Sequence, residues 1–283
     1  MINIDAQIYR EFRCKADKCK HNCCKGWEID IDDDTLDYYK SLDTELVKEI
    51  IRNIQEGEGA YFKLTSDERC PFLKETGLCK LIEELGEDGL CDICRLHPRF
   101  YENIKEYSLA GVGLSCEKAT ELLFEKKSLD FIICDSQKKI DLFELIDLLN
   151  LNIPHECLDL SKMIPGLLVA GRIEELLDVF YNTEPIDDNW KNEVLIIKRD
   201  YKDYLDGINS KSIKKYEIIY QYILFRQLEL IENYGMKKVI DYAVYSILFI
   251  MLYASIFHDD KEAVRRWSEQ IEYNEDNLNQ IIK

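Results

Sequence analysis

Residues 14–27 read Cys-Lys-Ala-Asp-Lys-Cys-Lys-His-Asn-Cys-Cys-Lys-Gly-Trp, which places Cys14, Cys19, Cys23 and Cys24 within eleven positions. Cys70, Cys79, Cys91, Cys94 and Cys116 follow, so nine of the eleven cysteines precede residue 117. Thiolate sulfur is soft and prefers zinc, cuprous copper or iron-sulfur clusters, and short spacings lower the entropy cost of gathering ligands on one centre. Cys91-Asp92-Ile93-Cys94 has the C-x-x-C bite found at zinc and iron-sulfur sites and also in redox pairs. The adjacent Cys23 and Cys24 are expected to diverge and to serve separate roles or separate metals. Nine thiols exceed what one four-thiolate centre needs, which leaves a second ion, a reactive thiol or structural cysteines for the surplus. Cys134 and Cys157, apart from the rest, read as small core residues.

The chain divides near residue 125 into an irregular half and a helical half, giving domains 1–125 and 126–283. Upstream, residues 26–32 (GWEIDID) alternate apolar with acidic residues and predict a short strand. Residues 35–54 predict a helix, residues 61–64 and 107–114 two further short strands, and Gly111-Val112-Gly113 a turn before Cys116. Downstream, residues 141–151, 171–181, 190–205, 212–233, 236–258 and 260–282 carry apolar residues at three- and four-residue spacing, as one-sided helices do. The fold class is therefore mainly α: an irregular cysteine-rich metal-binding N-terminal half with short strands, followed by a C-terminal helical bundle. Few long apolar patterns occur before residue 116, so ligand capture is expected to supply much of that half's folding free energy.

Charge and hydropathy exclude several classes. The 283 residues hold 55 acidic and 37 basic side chains, a formal net charge of −18, which repels nucleic acid and anionic lipid while attracting a lysine-bearing polypeptide. Ala243 to Phe257 is free of charge but falls short of the roughly 20 residues that span a bilayer, so a buried core helix is expected and no membrane association. The first residues lack a basic segment followed by an apolar one, which predicts a cytoplasmic, reducing setting in which disulfides are not formed.

The string Cys14, Cys19, Cys23-Cys24-Lys25-Gly26-Trp27, then Cys70-Pro71-Phe72-Leu73 with Gly77-Leu78-Cys79, then Leu90-Cys91-Asp92-Ile93-Cys94-Arg95 closed by Pro98-Arg99-Phe100-Tyr101, resembles the flagellin lysine-N-methylases, the FliB family. Its cysteine core is similar to the broader YkgJ type of iron- or zinc-chelating domain. Residues 222–226 (YILFR), and Ser268 to Tyr273 followed by Asn277-Leu278, extend the likeness into the C-terminal half. Tyr273 stands where the pattern has a histidine, which bears on C-terminal substrate contacts. The resemblance implies transfer of methyl groups from S-adenosylmethionine to the ε-amines of flagellin lysines, by an enzyme associated with a 4Fe-4S cluster, zinc being the alternative metal. A non-catalytic chelating module and a zinc-stabilised interaction scaffold are the readings outside this class. The polar and radical routes both stay open.

No catalytic residue follows from the sequence. Glu28, Asp30 and Asp32, directly after the Cys23-Cys24 block, would meet a substrate near the metal or form an exposed edge strand. His97 is read as a hydrogen-bond donor behind the metal ligands. Arg95 and Arg99 either offset thiolate charge, grip the methionyl carboxylate, or form structural ion pairs. Trp27 and Tyr101 are candidates to line an adenine pocket or to shield the metal. Arg226, in an apolar and aromatic helix, is expected to face a buried carboxylate or a ligand cleft.

Overall fold

The computed structural model describes every residue except 58 and 169. Its strands are β1 (Ile2–Ala6), β2 (Ile29–Ile31), β3 (Ile54–Glu56), β4 (Ala60–Phe62), β5 (Arg99–Ile104), β6 (Tyr107–Val112), β7 (Asp130–Ile133) and β8 (Lys138–Asp141). Helices dominate the remainder, so the chain is mainly α. Two compact units arise, one formed by residues 1–12 and 99–283, the other by residues 13–98. The expected division near residue 125 is thereby corrected. β1 pairs in parallel with β6 more than a hundred residues away, so the first twelve residues belong with the last half of the chain.

In the larger unit the sheet runs β5-β6-β1-β7-β8. β1 alternates, burying Ile4 and Ala6 while Asn3 is exposed, as a half-covered strand does. β6 sits between two partners, and its last four residues are all buried. The C-terminal half is thus not a pure bundle, because β7 and β8 extend the sheet before the first long helix. Asp141 starts that helix, Leu142–Leu149, with a reciprocal capping box to Glu144. The expected helix at 212–233 is the helix Ser210–Arg226, capped by Asn209 and followed by a 3-10 turn at Leu228–Leu230. The expected helix at 260–282 is two, Asp260–Ile271 and Glu275–Ile282, because Asn274 caps the second through the Asn277 amide.

Helix Met236–Phe257 has the length and composition of a membrane span, yet 78% of its most apolar window is buried inside the fold. It contacts the helices on either side of it in the chain and the helix Trp190–Tyr204. Phe180 stacks on Phe249 at 4.1 Å, and Trp190 lies 5.4 Å from the same ring. Such a core is worth roughly 1.5–3 kcal/mol per large apolar side chain buried.

The smaller unit has the antiparallel order β2-β4-β3. In place of the single helix expected at 35–54 stand Asp33–Ser41 and Glu45–Asn53, since Thr44 caps the second through the Val47 amide. The buried side chains Ile29, Ile31, Tyr39, Ile50, Phe62, Phe72, Leu81 and Leu90 form an apolar core together with Cys70 and Cys91. This unit therefore has hydrophobic packing of its own, more than its sequence pattern implied.

Candidate functional site

In the smaller unit, backbone pairing lays the cysteine loops side by side. The Cys70 amide donates to the Cys24 carbonyl at 2.9 Å, the Gly26 amide to the Glu68 carbonyl at 2.9 Å, and Lys25 bridges Arg69. Leu73, three residues after Cys70, pairs with Cys79 across a turn in which the Gly77 amide donates to the Lys74 carbonyl. Gly77 is required there, because its φ is +83° and an added Cβ would stand 3.2 Å from the Asp17 Cα. That contact seats the turn Ala16–Lys18, which lies between Cys14 and Cys19, on the Cys70–Cys79 turn. Cys79 and Cys91 each occupy the residue before a helix, Lys80–Leu85 and Asp92–Leu96.

Six thiols act on one another electrostatically: Cys23, Cys24, Cys70, Cys79, Cys91 and Cys94. Two pairs are joined by thiol hydrogen bonds, Cys24 with Cys23 and Cys94 with Cys91, which hold the Cys23 and Cys91 thiols below their ordinary value. The partners Cys24 and Cys94 are displaced upward by the same bonds and by burial. Neighbouring Cys23 and Cys24 therefore converge, contrary to the expected divergence. Burial pushes Cys70 up to about 11, against N–H bonds from Phe72 and Leu73. Cys79 also rises through burial, against N–H bonds from Ile82 and Leu81. Amide donors aimed at sulfur favour thiolate, but burial and mutual repulsion oppose ionising several thiols together unless a cation offsets them. Donor chemistry thus suits a thiophilic centre. Among the described residues, no group of three or more His, Cys, Asp or Glu side chains is already arranged to hold a metal ion.

Other predicted residues surround or leave this cluster. Trp27 donates to the Cys23 carbonyl at 2.5 Å and its ring lies 5.8 Å from that of His97. Burial pushes His97 down to about 4, so it is neutral at pH 7 and able to serve as donor or acceptor. Glu28 and Asp30 are exposed, and β2 is an edge strand. Asp32 is different. It accepts from Thr35 N at 2.9 Å, from Thr35 Oγ1 at 3.0 Å and from Asp92 N at 2.8 Å, tying β2 to the start of the Cys91–Cys94 helix. Burial raises its carboxyl, but these donors outweigh burial and hold it below the ordinary range. Asp32, Asp34, Asp88 and Asp92, with Thr35, Tyr38, Leu90 and Arg95, line an open hollow of about 360 Å³. Arg95 pairs with Asp92 across one helical turn.

The remaining candidates lie in the larger unit. Cys116, which spacing grouped with the metal ligands, precedes helix Glu117–Phe124 in that unit. Cys134 accepts from Arg10 at 3.4 Å, and Cys157 packs against the large core. Arg99 lies over the rings of Tyr9 and Phe12 at 5.8 and 5.3 Å, and Tyr101 bonds Tyr9 through its hydroxyl at 3.0 Å. Strand alternation puts Phe100 on the face opposite both, and Arg226 covers Phe100 at 4.5 Å. Trp27 and Arg95 belong to the smaller unit, while within the larger unit Arg99 and Tyr101 lie on one face of β5 and Arg226 covers the other. Arg226 does meet a buried carboxylate, as its Nε stands 3.2 Å from Glu272 Oε1. Gly111 and Val112 end β6, and Gly113 follows it directly. A Cβ on Gly113 would stand 2.0 Å from the Tyr273 hydroxyl and 3.1 Å from Arg226 Nη1, and one on Gly111 would stand 2.3 Å from Phe100. Glu272 escaped sequence reasoning because its partner is distant in the chain.

The comparisons with known proteins point where the cysteine pattern pointed, to proteins of the FliB type. A lysine-N-methylase of Salmonella typhimurium is 29% identical over 121 residues, covering 38% of this chain and 29% of that protein, and the Salmonella choleraesuis protein of the same name aligns alike. The flagellar biosynthetic protein FliU of Salmonella muenchen is 29% identical over 119 residues, covering 38% of this chain and 69% of FliU. The matched stretch thus spans under a third of the length of the lysine-N-methylases. No family model matches, and no solved structure does either.

Proposed function

We propose that this chain is a protein-lysine N-methyltransferase, acting on flagellin with S-adenosylmethionine as methyl donor and dependent on a 4Fe-4S cluster held by cysteines of residues 13–98. The observation that carries the reading is the convergence of Cys23, Cys24, Cys70, Cys79, Cys91 and Cys94, with amide donors on the sulfurs, in a chain similar to lysine-N-methylases. Cys14 and Cys19 remain in the ligand set because their loop is seated on the Cys70–Cys79 turn. Cys116, in the other unit, stays a candidate ligand on its spacing.

By the polar route, the methyl group on the sulfonium of S-adenosylmethionine would pass by displacement to the lysine nitrogen as the S–C bond breaks, leaving S-adenosylhomocysteine. A lysine ammonium has no lone pair and must first lose a proton. The carboxylates of the hollow draw such a cation toward the Cys91–Cys94 helix. Asp32, held low by three donors, attracts an ammonium but is a poor proton acceptor. Net charge of −18 favours encounter with a lysine-bearing polypeptide, an effect that fades with salt.

The test joins metal analysis to mass spectrometry. Protein purified without oxygen should contain iron and acid-labile sulfide in equal amounts and should add methyl groups to lysines of its own organism's flagellin. Zinc without sulfide, or an intact cluster with no methyl added in the presence of a reductant, would favour the chelating module instead.

A further inference from the structure

The larger unit holds a second constellation, and its unmet demands have opposite signs. Arg226 ends helix Ser210–Arg226 with its guanidinium between the rings of Phe100 and Tyr273, at 4.5 and 5.2 Å. Its Nε faces Glu272, but its buried Nη1 has no hydrogen-bond partner. The Glu272 side chain is fully buried, with Oε2 bonded by Ser268, Gln227 also acting on the carboxylate, and Oε1 facing Arg226 without a hydrogen bond of good geometry. Trp267 Nε1, on helix Asp260–Ile271, is buried without a partner, and Tyr242 Oη and Ser246 Oγ, on helix Met236–Phe257, are buried with no hydrogen bond of good geometry beyond their contact with each other. Native proteins rarely leave buried polar groups unpaired, and several in one region indicate a guest, whether water or ligand.

Glu102 stands two residues after Phe100 on the same face of β5, so it projects toward the same helix end. Its carboxyl hydrogen-bonds Glu229, in the turn Leu228–Leu230, and feels Arg226 and Glu272. Its partner across the sheet is the apolar Leu109. Glu229 is exposed and Glu102 half-buried, so this carboxyl pair sits nearer to solvent than Arg226 and Glu272 do. Two carboxyls in contact cannot both ionise readily, so Glu102 keeps its proton unless a cation replaces it. An inorganic anion would satisfy Arg226 Nη1 and leave the carboxyl pair as it is. A simple amine would do the reverse. A carboxylate and an ammonium carried on one carbon satisfy both.

We propose that Arg226, Glu272, Glu102 and Glu229 form a receptor for the α-amino-acid head group of the methyl donor, with Arg226 Nη1 taking its carboxylate and the Glu102–Glu229 pair its ammonium. This rests on the reading that S-adenosylmethionine is the donor. Docking the ammonium expels the Glu102 proton to solvent. Burial foremost, then the Glu229 bond and charge, push Glu102 up to about 8 against the opposing pull of Arg226, with Glu272 adding to the rise. Affinity should therefore fall as pH drops from about 8 to 6, where the proton competes with the ligand.

The experiment is calorimetric titration of the iron-replete full chain with S-adenosylhomocysteine, which keeps the head group, and with 5′-methylthioadenosine, which lacks it. Buffers of different ionisation enthalpy report protons released. The receptor requires at least tenfold tighter binding of S-adenosylhomocysteine, with net release of protons near pH 7. Glu102→Gln should weaken that ligand at least tenfold and abolish proton release while leaving 5′-methylthioadenosine unchanged, and Arg226→Lys should weaken S-adenosylhomocysteine alone. Gln at position 102 keeps size and hydrogen bonding at a half-buried site, so folding is preserved even if the Arg226 variant is lost. Equal affinity of the two ligands, or unchanged S-adenosylhomocysteine binding in Glu102→Gln, overturns the receptor while the donor reading stands. Binding of n-butylamine with proton release that S-adenosylhomocysteine does not compete away would overturn it in favour of a lysine-ammonium site. Absence of S-adenosylhomocysteine and S-adenosylmethionine binding to the native chain would overturn the donor reading itself.

Discussion

Replacing Asp32 by Ala should loosen the start of the Cys91–Cys94 helix more than any other single carboxylate change in the smaller unit. Asp32 Oδ1 accepts from Thr35 N, and Oδ2 accepts from Thr35 Oγ1 and Asp92 N. Losing an N-cap costs about 0.5–2 kcal/mol, and losing a hydrogen bond to a charged group about 1.5–3 kcal/mol. Because both losses act on one side chain they do not simply add, and roughly 2–4 kcal/mol is expected. At about 1.4 kcal/mol per decade, amide protection in peptides covering residues 32–41 and 91–97 should drop some 30- to 1,000-fold. Asp32→Asn separates the two terms: its remaining carbonyl oxygen still caps Thr35, while the amide nitrogen facing Asp92 N cannot accept, so about half the loss should remain. The pH dependence has a defined sign. A carboxyl held below its unfolded value of about 3.9 contributes stability above that pH and loses it as pH falls further, so the difference between native and Asp32→Asn should shrink below about pH 4. Hydrogen exchange followed by mass spectrometry measures all three. A change under threefold in Asp32→Ala would refute the claim that this carboxylate ties β2 to the cysteine helix.

Two further outcomes are expected. Tyr222→Phe should cost about 2–4 kcal/mol, because its buried hydroxyl both donates to and accepts from the backbone of Val112 at 2.8 Å, and removal orphans two main-chain groups. At roughly 2–4 °C per kcal/mol, thermal unfolding should shift by several degrees, and a shift under 1 °C would refute the estimate. Single Ser substitutions should separate the cysteines by iron content after anaerobic purification, with every position of iron loss among Cys14, Cys19, Cys23, Cys24, Cys70, Cys79, Cys91, Cys94 and Cys116, and iron kept in Cys134→Ser and Cys157→Ser. Loss of iron in Cys134→Ser or Cys157→Ser, with helicity intact, would overturn the division.

What the sequence made legible was local, and what it concealed was the pairing of distant segments. Long helices were visible because one-sided apolar spacing persists over many residues, as from Met236 to Phe257. The break inside the expected helix at 35–54 was encoded by Thr44 as a cap, but apolar spacing on both sides masked it. β7 and β8 were hidden because each is only four residues long and β8 carries two lysines, so neither shows strict alternation. The unit boundary was hidden for a different reason. It depends on the parallel pairing of β1 with β6, and nothing in residues 1–12 names that partner. The same pairing sets Cys116 in a different unit from Cys94 despite their short spacing, because β5 and β6 carry the chain into the larger unit between them. At the candidate sites, residue types that announce chemistry were readable and those that respond to it were not. Cysteines declare themselves by composition, whereas Glu102, Glu229 and Glu272 look like ordinary surface acids in a chain with 55 acidic residues. Only the fold, by burying Arg226 against Phe100 and placing three carboxyls around it, gives them distinct electrostatic roles.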